Sequence, residues 1–160
     1  MYRLRLATVD DVSFLADVVV EAARDQGRLP AGFDERDFRA GFSEWTAQQV
    51  ADTDGESLTS VIEVDGRRVG RLRVVRTQEH FDLAGIQLVP GEQSRGIGTR
   101  IITDLLTEAA VLGLPMTLSV EKDNPKAQAL YLRLGFVVTA ETDKELVMRR
   151  SASGPAEIKH

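Results

Sequence analysis

Two short stretches of this 160-residue chain carry the residue types that bind and transform a ligand. Gln93-Ser94-Arg95-Gly96-Ile97-Gly98 sets a carboxamide, a cation and two glycines ahead of an apolar periodic segment. Glycine admits turns and close approaches barred to other residues. The N–H groups of a first helical turn point outward with the positive end of the dipole. The combination suits a pyrophosphate. It is not a dinucleotide fingerprint, because Ile101 stands where a third small residue would fall. Nor is it a P-loop, which needs Gly-Lys-Ser/Thr where this chain has Gly98-Thr99-Arg100. A Q-x-x-G-x-G loop remains, with Thr99 just beyond it.

The second stretch runs from Asn124 to Phe136. Ala127, Leu130, Tyr131 and Leu134 fall on one helical face, so Tyr131 points inward or along a groove. A phenol keeps its proton at neutral pH; the plain alternative is a core tyrosine with a satisfied hydroxyl. Asn124 is likewise explained as a helix cap. Glu79, His80 and Asp82 form a third group. Carboxylates and imidazole are the usual general bases, although solvated turn residues need no such role.

The elements that must position these residues follow from hydrophobic spacing. Tyr2, Leu4 and Leu6 alternate as a strand. Thr8 is placed to cap a helix carrying Val12, Leu15, Ala16 and Val19, with Asp10 and Asp11 in its first turn. Gly27, Pro30 and Gly32 end it. A second helix starts near Asp34, and its stripe of Phe38, Phe42 and Trp45 reads mainly as core, with a pocket wall as the alternative. Leu58–Val64, Asp65-Gly66 and Arg68–Arg76 read as a hairpin with a type I′ turn. Arg67, Arg68, Arg71, Arg73 and Arg76 read as its solvated face, with anion reception the alternative. A strand over Asp82–Val89 stops at Pro90-Gly91, and Gly96–Leu112 is a long amphipathic helix closed by Gly113 and Pro115. Met116–Glu121 is a strand, Asn124–Leu134 a helix with Pro125 at its first position, and Val137–Ala140 and Glu145–Met148 the last strands. The order is βααβββαβαββ, a mixed α/β fold with hairpins ahead of a strand–helix–strand crossover.

Composition removes several function classes. There is no cysteine, so disulfides, thiolate metal sites and thiol catalysis are excluded, and two histidines do not make a multi-histidine metal centre. A net charge of -5 argues against general nucleic-acid binding. No apolar run approaches the roughly 20 residues that span a membrane. The start has no long apolar signal core, so a cytoplasmic protein is expected. One domain is expected over residues 1–150, with 151–160 a flexible tail.

Taken together, the two stretches resemble the acetyl-CoA motifs of the GCN5-related N-acetyltransferase (GNAT) superfamily. Its Q/R-x-x-G-x-G/A loop is similar to Gln93–Gly98, and its N-x-x-A-x-x-L-Y-x-x-x-G-F segment to Asn124, Ala127, Leu130, Tyr131, Gly135 and Phe136. Ile86–Pro90 looks like its splayed fourth strand. One departure stands out: Gly91-Glu92 replaces an acidic–aromatic pair common in the family.

The resemblance implies acetyl transfer from acetyl-CoA to a primary amine, on a small molecule or an N-terminal amino group. Backbone amides from Gln93 through Ser94, Arg95, Gly96, Ile97 and Gly98 to Thr99 would hold the pyrophosphate, with Arg95 adding charge. Leu88 and Val89 would pair with the pantetheine arm against the strand at Leu118–Val120, near Asn124 and beside the small Ala127. The Leu88 N–H would serve the oxyanion and Tyr131 the departing thiolate, with Asp82, Glu79 or His80 as base. No metal, nucleic acid or membrane enters this reading. A homodimer is common in the family, though no motif here decides it. The rival reading is a non-catalytic acyl-CoA sensor on the same fold.

Overall fold

The computed structural model describes residues 1–52, 55–93 and 95–153. The chain forms β1 (Tyr2–Leu6), α1 (Val12–Asp25), α2 (Glu35–Ala51), β2 (Ser57–Val64), β3 (Arg67–Arg76) and β4 (Phe81–Leu88). It continues with α3 (Ile97–Val111), β5 (Met116–Glu121), α4 (Pro125–Arg133), β6 (Val137–Glu141) and β7 (Glu145–Arg150). This is the expected βααβββαβαββ order. The strands follow one another as β1-β2-β3-β4-β5-β7-β6 in a mixed sheet. Two compact units divide the chain: residues 1–74 with 85–97, and residues 75–84 with 98 onward. No helix among the described residues is long and apolar enough to cross a membrane.

In the first unit β1 and β2 run antiparallel, from Tyr2↔Val64 to Leu6↔Ser60. Asp65 (φ 53°) and Gly66 (φ 78°) both adopt positive φ, as a type I′ turn between β2 and β3 requires. Ala7, Leu15 and Val61 make a small core with Phe14, Phe42 and Val50 packed against it.

Thr8 caps the 3-10 turn over Val9–Asp11 that runs straight into α1, in a capping box with Asp11, and Asp11 holds the cap position of α1 itself. Asp11 is also buried. Its carboxylate takes the Thr8 N–H at 2.8 Å, Arg5 at 2.9 and 3.1 Å, and Arg68 at 3.3 Å. The Arg5 guanidinium holds that carboxyl well below the usual range. The aromatic stripe of α2 is core only in part: Phe42 packs against that small core, Thr46 is the helix's one buried residue, and Trp45 is 39% exposed.

In the second unit β4 pairs parallel with β5 from Phe81↔Met116 to Leu83↔Leu118. β5 and β7 pair antiparallel, and β6 pairs with β7 outside it. Ile101, Ile102, Leu105 and Ala109 are buried along α3, the stripe that its four-residue spacing demands. Gly113, at φ 72°, closes α3, and the Leu114 N–H bonds back to the Ala109 carbonyl at 2.9 Å.

Candidate active site

In the first unit, the end of β4 leads into the glycine loop through a tight turn. Pro90–Glu92 form a 3-10 turn with Pro90 at its start. The Glu92 carboxylate, 6% exposed, sits 3.3 Å from Arg67 and 3.5 Å from Arg95. This is the residue that departs from the family's acidic–aromatic pattern, and it anchors the loop by charge. Gln93 donates its carboxamide N–H to the Leu88 carbonyl at 3.1 Å, tying the loop to the strand end.

The Val89 N–H donates to the Val69 carbonyl of β3 at 2.8 Å. Backbone polar groups alternate sides along a strand, so the Leu88 N–H is turned away from β3. That orientation suits a donor to a carbonyl oxygen gaining charge, or to an extended ligand. Gly96 adopts φ +81°, yet a β-carbon there would meet nothing within 4 Å. The loop therefore needs glycine for its torsion and not for room. Ile97 opens α3, with Gly98 and Thr99 next along it, all half-buried. No acidic side chain in that first turn neutralises its positive end. Ser94 lies outside the described residues.

In the second unit, Asn124 caps α4 by accepting the Ala127 N–H at 3.2 Å, and Pro125 follows. Tyr131 is 8% exposed and meets Phe136 edge-on, with 5.8 Å between ring centres. Burial pushes its phenol pKa up, so the proton is held more firmly. The hydroxyl has no protein hydrogen-bond partner among the described residues and is not sealed from solvent.

The base candidates are distributed around the start of β4. Asp82 accepts the Thr117 hydroxyl at 2.6 Å. Glu79 and His80 occupy a turn organised by Thr77, whose Oγ1 accepts both their N–H groups at 3.1 and 3.0 Å. His80 Nδ1 lies 3.3 Å from the same hydroxyl.

Back in the first unit, the arginine-rich hairpin is not uniformly solvated. Arg67 and Arg68 are exposed and ion-paired with Glu92 and Asp11. Arg71, by contrast, is buried at 6% exposure, which corrects the solvated-face expectation for it. Its signal in the sequence was its strand parity with the apolar Val69. The acids near α2 have their own partners: Asp34 caps the helix through the Asp37 N–H, and Glu35 pairs with Arg39 and Arg24.

A sequence model described as the acetyltransferase (GNAT) family matches residues 16–136, well over half of the chain. This chain belongs to the acetyltransferase (GNAT) family. Solved structures agree on the fold of this GNAT protein. It resembles the PaiA N-acetyltransferase of Thermoplasma acidophilum in complex with coenzyme A at 16% identity, with 94% and 99% of the two chains covered and a TM-score of 0.74. For the spermidine N-acetyltransferase of Vibrio cholerae with CoA and spermine, identity is 20%, coverage 96% of each chain, and TM-score 0.70. The ribosomal-protein-S18-alanine N-acetyltransferase of Escherichia coli matches at 19% identity over 100% and 99% of the chains, TM-score 0.64.

Proposed function

We propose that this GNAT protein transfers an acetyl group from acetyl-CoA to a primary amine, on a small molecule or an N-terminal amino group. The single observation carrying the reading is the Tyr131 phenol: its ring is buried, while its hydroxyl has no protein partner among the described residues and is not sealed from solvent, so its proton is available to a ligand. Coenzyme A in the solved relatives from Thermoplasma acidophilum and Vibrio cholerae supports the choice of acyl donor.

Bound acetyl-CoA would supply the acetyl group as a thioester. The loop from Gln93 to Thr99 fits its diphosphate: Gly96 supplies the turn, and the first turn of α3 keeps its positive end free of acid. Arg95, steered by Glu92, adds a charged donor at the loop. Leu88 and Val89 offer backbone groups along the strand edge, and the Leu88 N–H stabilises the carbonyl oxygen as it gains charge. Asn124 and Ala127 open the helix that carries Tyr131.

The amine nitrogen attacks the carbonyl carbon, the new C–N bond forms, and the C–S bond breaks. Tyr131, protonated at neutral pH, gives its proton to the departing sulfur as negative charge builds on it. The proton lost by the amine goes to Asp82, Glu79 or His80, and Tyr131 is then reprotonated from water.

Thermal unfolding with acetyl-CoA, followed by CoA release across an amine panel, tests this reading. Ligand at 100 times Kd adds about 2.7 kcal/mol, or roughly 5–10 °C in Tm for this size. Folded protein with no shift would refute the cofactor assignment. A shift without CoA release on any amine would favour a non-catalytic sensor.

A further inference from the structure

We propose that Arg71, with Arg73 and Gln87, binds a carboxylate on the acceptor, so that the acceptor is an amine that also carries an acid group. This deepens the acetyl-transfer reading and rests on it for the identity of the reacting group.

The argument begins with a charge that lacks a counter-ion. Arg5, Arg24, Arg39, Arg67, Arg68 and Arg76 all pair with carboxylates. Arg71 and Arg73 do not, among the described residues, although Arg71 is the most enclosed of the hairpin arginines. Removing a guanidinium from water without a partner costs several kcal/mol. Burial lowers the Arg71 pKa to about 10, and the like charge of Arg73 adds to the effect. On β3 the exposed Arg67 and Arg68 and the half-buried Arg76 have carboxylates while the buried Arg71 has none among the described residues, an arrangement that fits an anion from outside.

The donors left over match a carboxylate in shape. Arg71 Nη1 donates to Gln87 Oε1 at 2.9 Å. Its Nε is buried with no partner, so the Nε–Nη2 edge of the guanidinium holds an unused donor that a carboxylate reaches once the side chain shifts outward. That edge is the one that holds planar carboxylates in a bidentate pair. Arg73 Nε is likewise buried and unpartnered, as is Thr46 Oγ1, one turn along α2 from Phe42. An orphaned buried donor calls for a missing ion or water.

The surroundings frame this guanidinium. Arg71 and Arg73 are two apart on β3 and share a face. Their guanidiniums lie over Phe42 and Trp45 of α2, at 5.5 and 4.9 Å from the ring centres. Gly85 of β4 leaves the room: a β-carbon there would come within 2.5 Å of Arg71 Nη1. Gln87, which fixes the guanidinium, directly precedes the Leu88 peptide proposed to serve the reacting carbonyl. The acids at the start of α2 are already engaged, Asp34 with the Asp37 N–H and Glu35 with Arg39 and Arg24.

Trp45 is the only tryptophan in the chain and reports on this spot without a label. The test titrates Trp45 fluorescence with a panel of free amino acids, the matching amino-acid amides, aminoalkyl phosphonates and spermidine. Release of CoA from acetyl-CoA is measured on the same panel. The proposal expects saturable changes with the amino acids, and acetylation of acids over amides by roughly 10- to 100-fold, the worth of a charged hydrogen-bonded pair. Arg71→Met should bring that ratio near one while the thermal shift with acetyl-CoA persists. Arg73→Gln, at a half-buried position, should lower the ratio in part and covers the case of an unfolded Arg71→Met. Equal use of acids, amides and spermidine, or a ratio untouched by both variants, would overturn the proposal. Preference for phosphonates over carboxylates would overturn the carboxylate assignment. Fluorescence titration by amino acids with no thermal shift from acetyl-CoA would instead refute acetyl transfer and leave the anion site standing.

Discussion

Gly85 and Arg71 form a matched pair: the missing side chain of one is the space filled by the guanidinium of the other, 2.5 Å from where a β-carbon would sit. Because the crowded atom is the end of a long side chain, Gly85→Ala should fold and unfold much as wild type, within about 1 kcal/mol. The guanidinium must swing, however, and its 2.9 Å bond to Gln87 should break. We expect KM for the acceptor to rise several-fold while the acetyl-CoA Kd stays constant. Acceptor KM unchanged in Gly85→Ala would show that Arg71 does not touch the acceptor.

Tyr131→Phe should separate chemistry from binding. The hydroxyl has no partner to lose, so stability should change by less than about 0.5 kcal/mol. Turnover should fall by roughly 10²–10⁴-fold at saturating substrates, the usual worth of a general acid. Burial raises the phenol pKa. Its folded value lies above the ordinary 10 or so, so the acid form persists through neutral and mildly alkaline pH. Wild-type turnover should therefore show no alkaline decline from this group below about pH 10. An alkaline limb near pH 8 that vanishes in Tyr131→Phe would contradict this.

How far the sequence foretold the structure depends on whether a feature is local. The Asp65-Gly66 turn, the Asn124-Pro125 helix start and the Gly113 stop were all legible, because each is decided by torsions or caps within a few residues. The Thr8 cap is equally local, whereas the inward turn of Asp11 to Arg5 and Arg68 depends on two strands that local spacing does not bring together. The stripe of Phe38, Phe42 and Trp45 has perfect core spacing, yet periodicity records which residues share a face and not what that face meets. Here it meets two arginines. Arg71 itself was hidden among five arginines of one hairpin, since strand parity alone does not say which of them lacks a carboxylate.

Asp11 should govern acid stability. Its folded pKa is depressed, so its contribution is present above the unfolded value near 4 and is lost as pH falls below that toward the depressed folded value. Asp11→Asn removes the charge facing Arg5 and Arg68 and should cost about 3 kcal/mol at pH 7. Urea midpoints of the two proteins should converge as pH drops to 3.5 and below. A gap that is constant across that range would assign the stabilisation to packing and not to the carboxylate.

Gly96 and Gly91 lie in one loop and differ in a way that isolates the backbone. Both have open space where a β-carbon would go, but only Gly96 holds a positive φ, +81°. Alanine pays about 1–2 kcal/mol for that left-handed torsion, and the loop escapes the strain by rotating its amides away from the diphosphate position. Gly96→Ala should therefore weaken acetyl-CoA binding by roughly tenfold, as 1.4 kcal/mol predicts. Turnover at saturating acetyl-CoA should stay near wild type, because Leu88 and Tyr131 are untouched. Gly91→Ala should alter neither quantity. If isothermal titration found the two variants equally impaired, the loop would be sensitive to added bulk and the torsional account would fall.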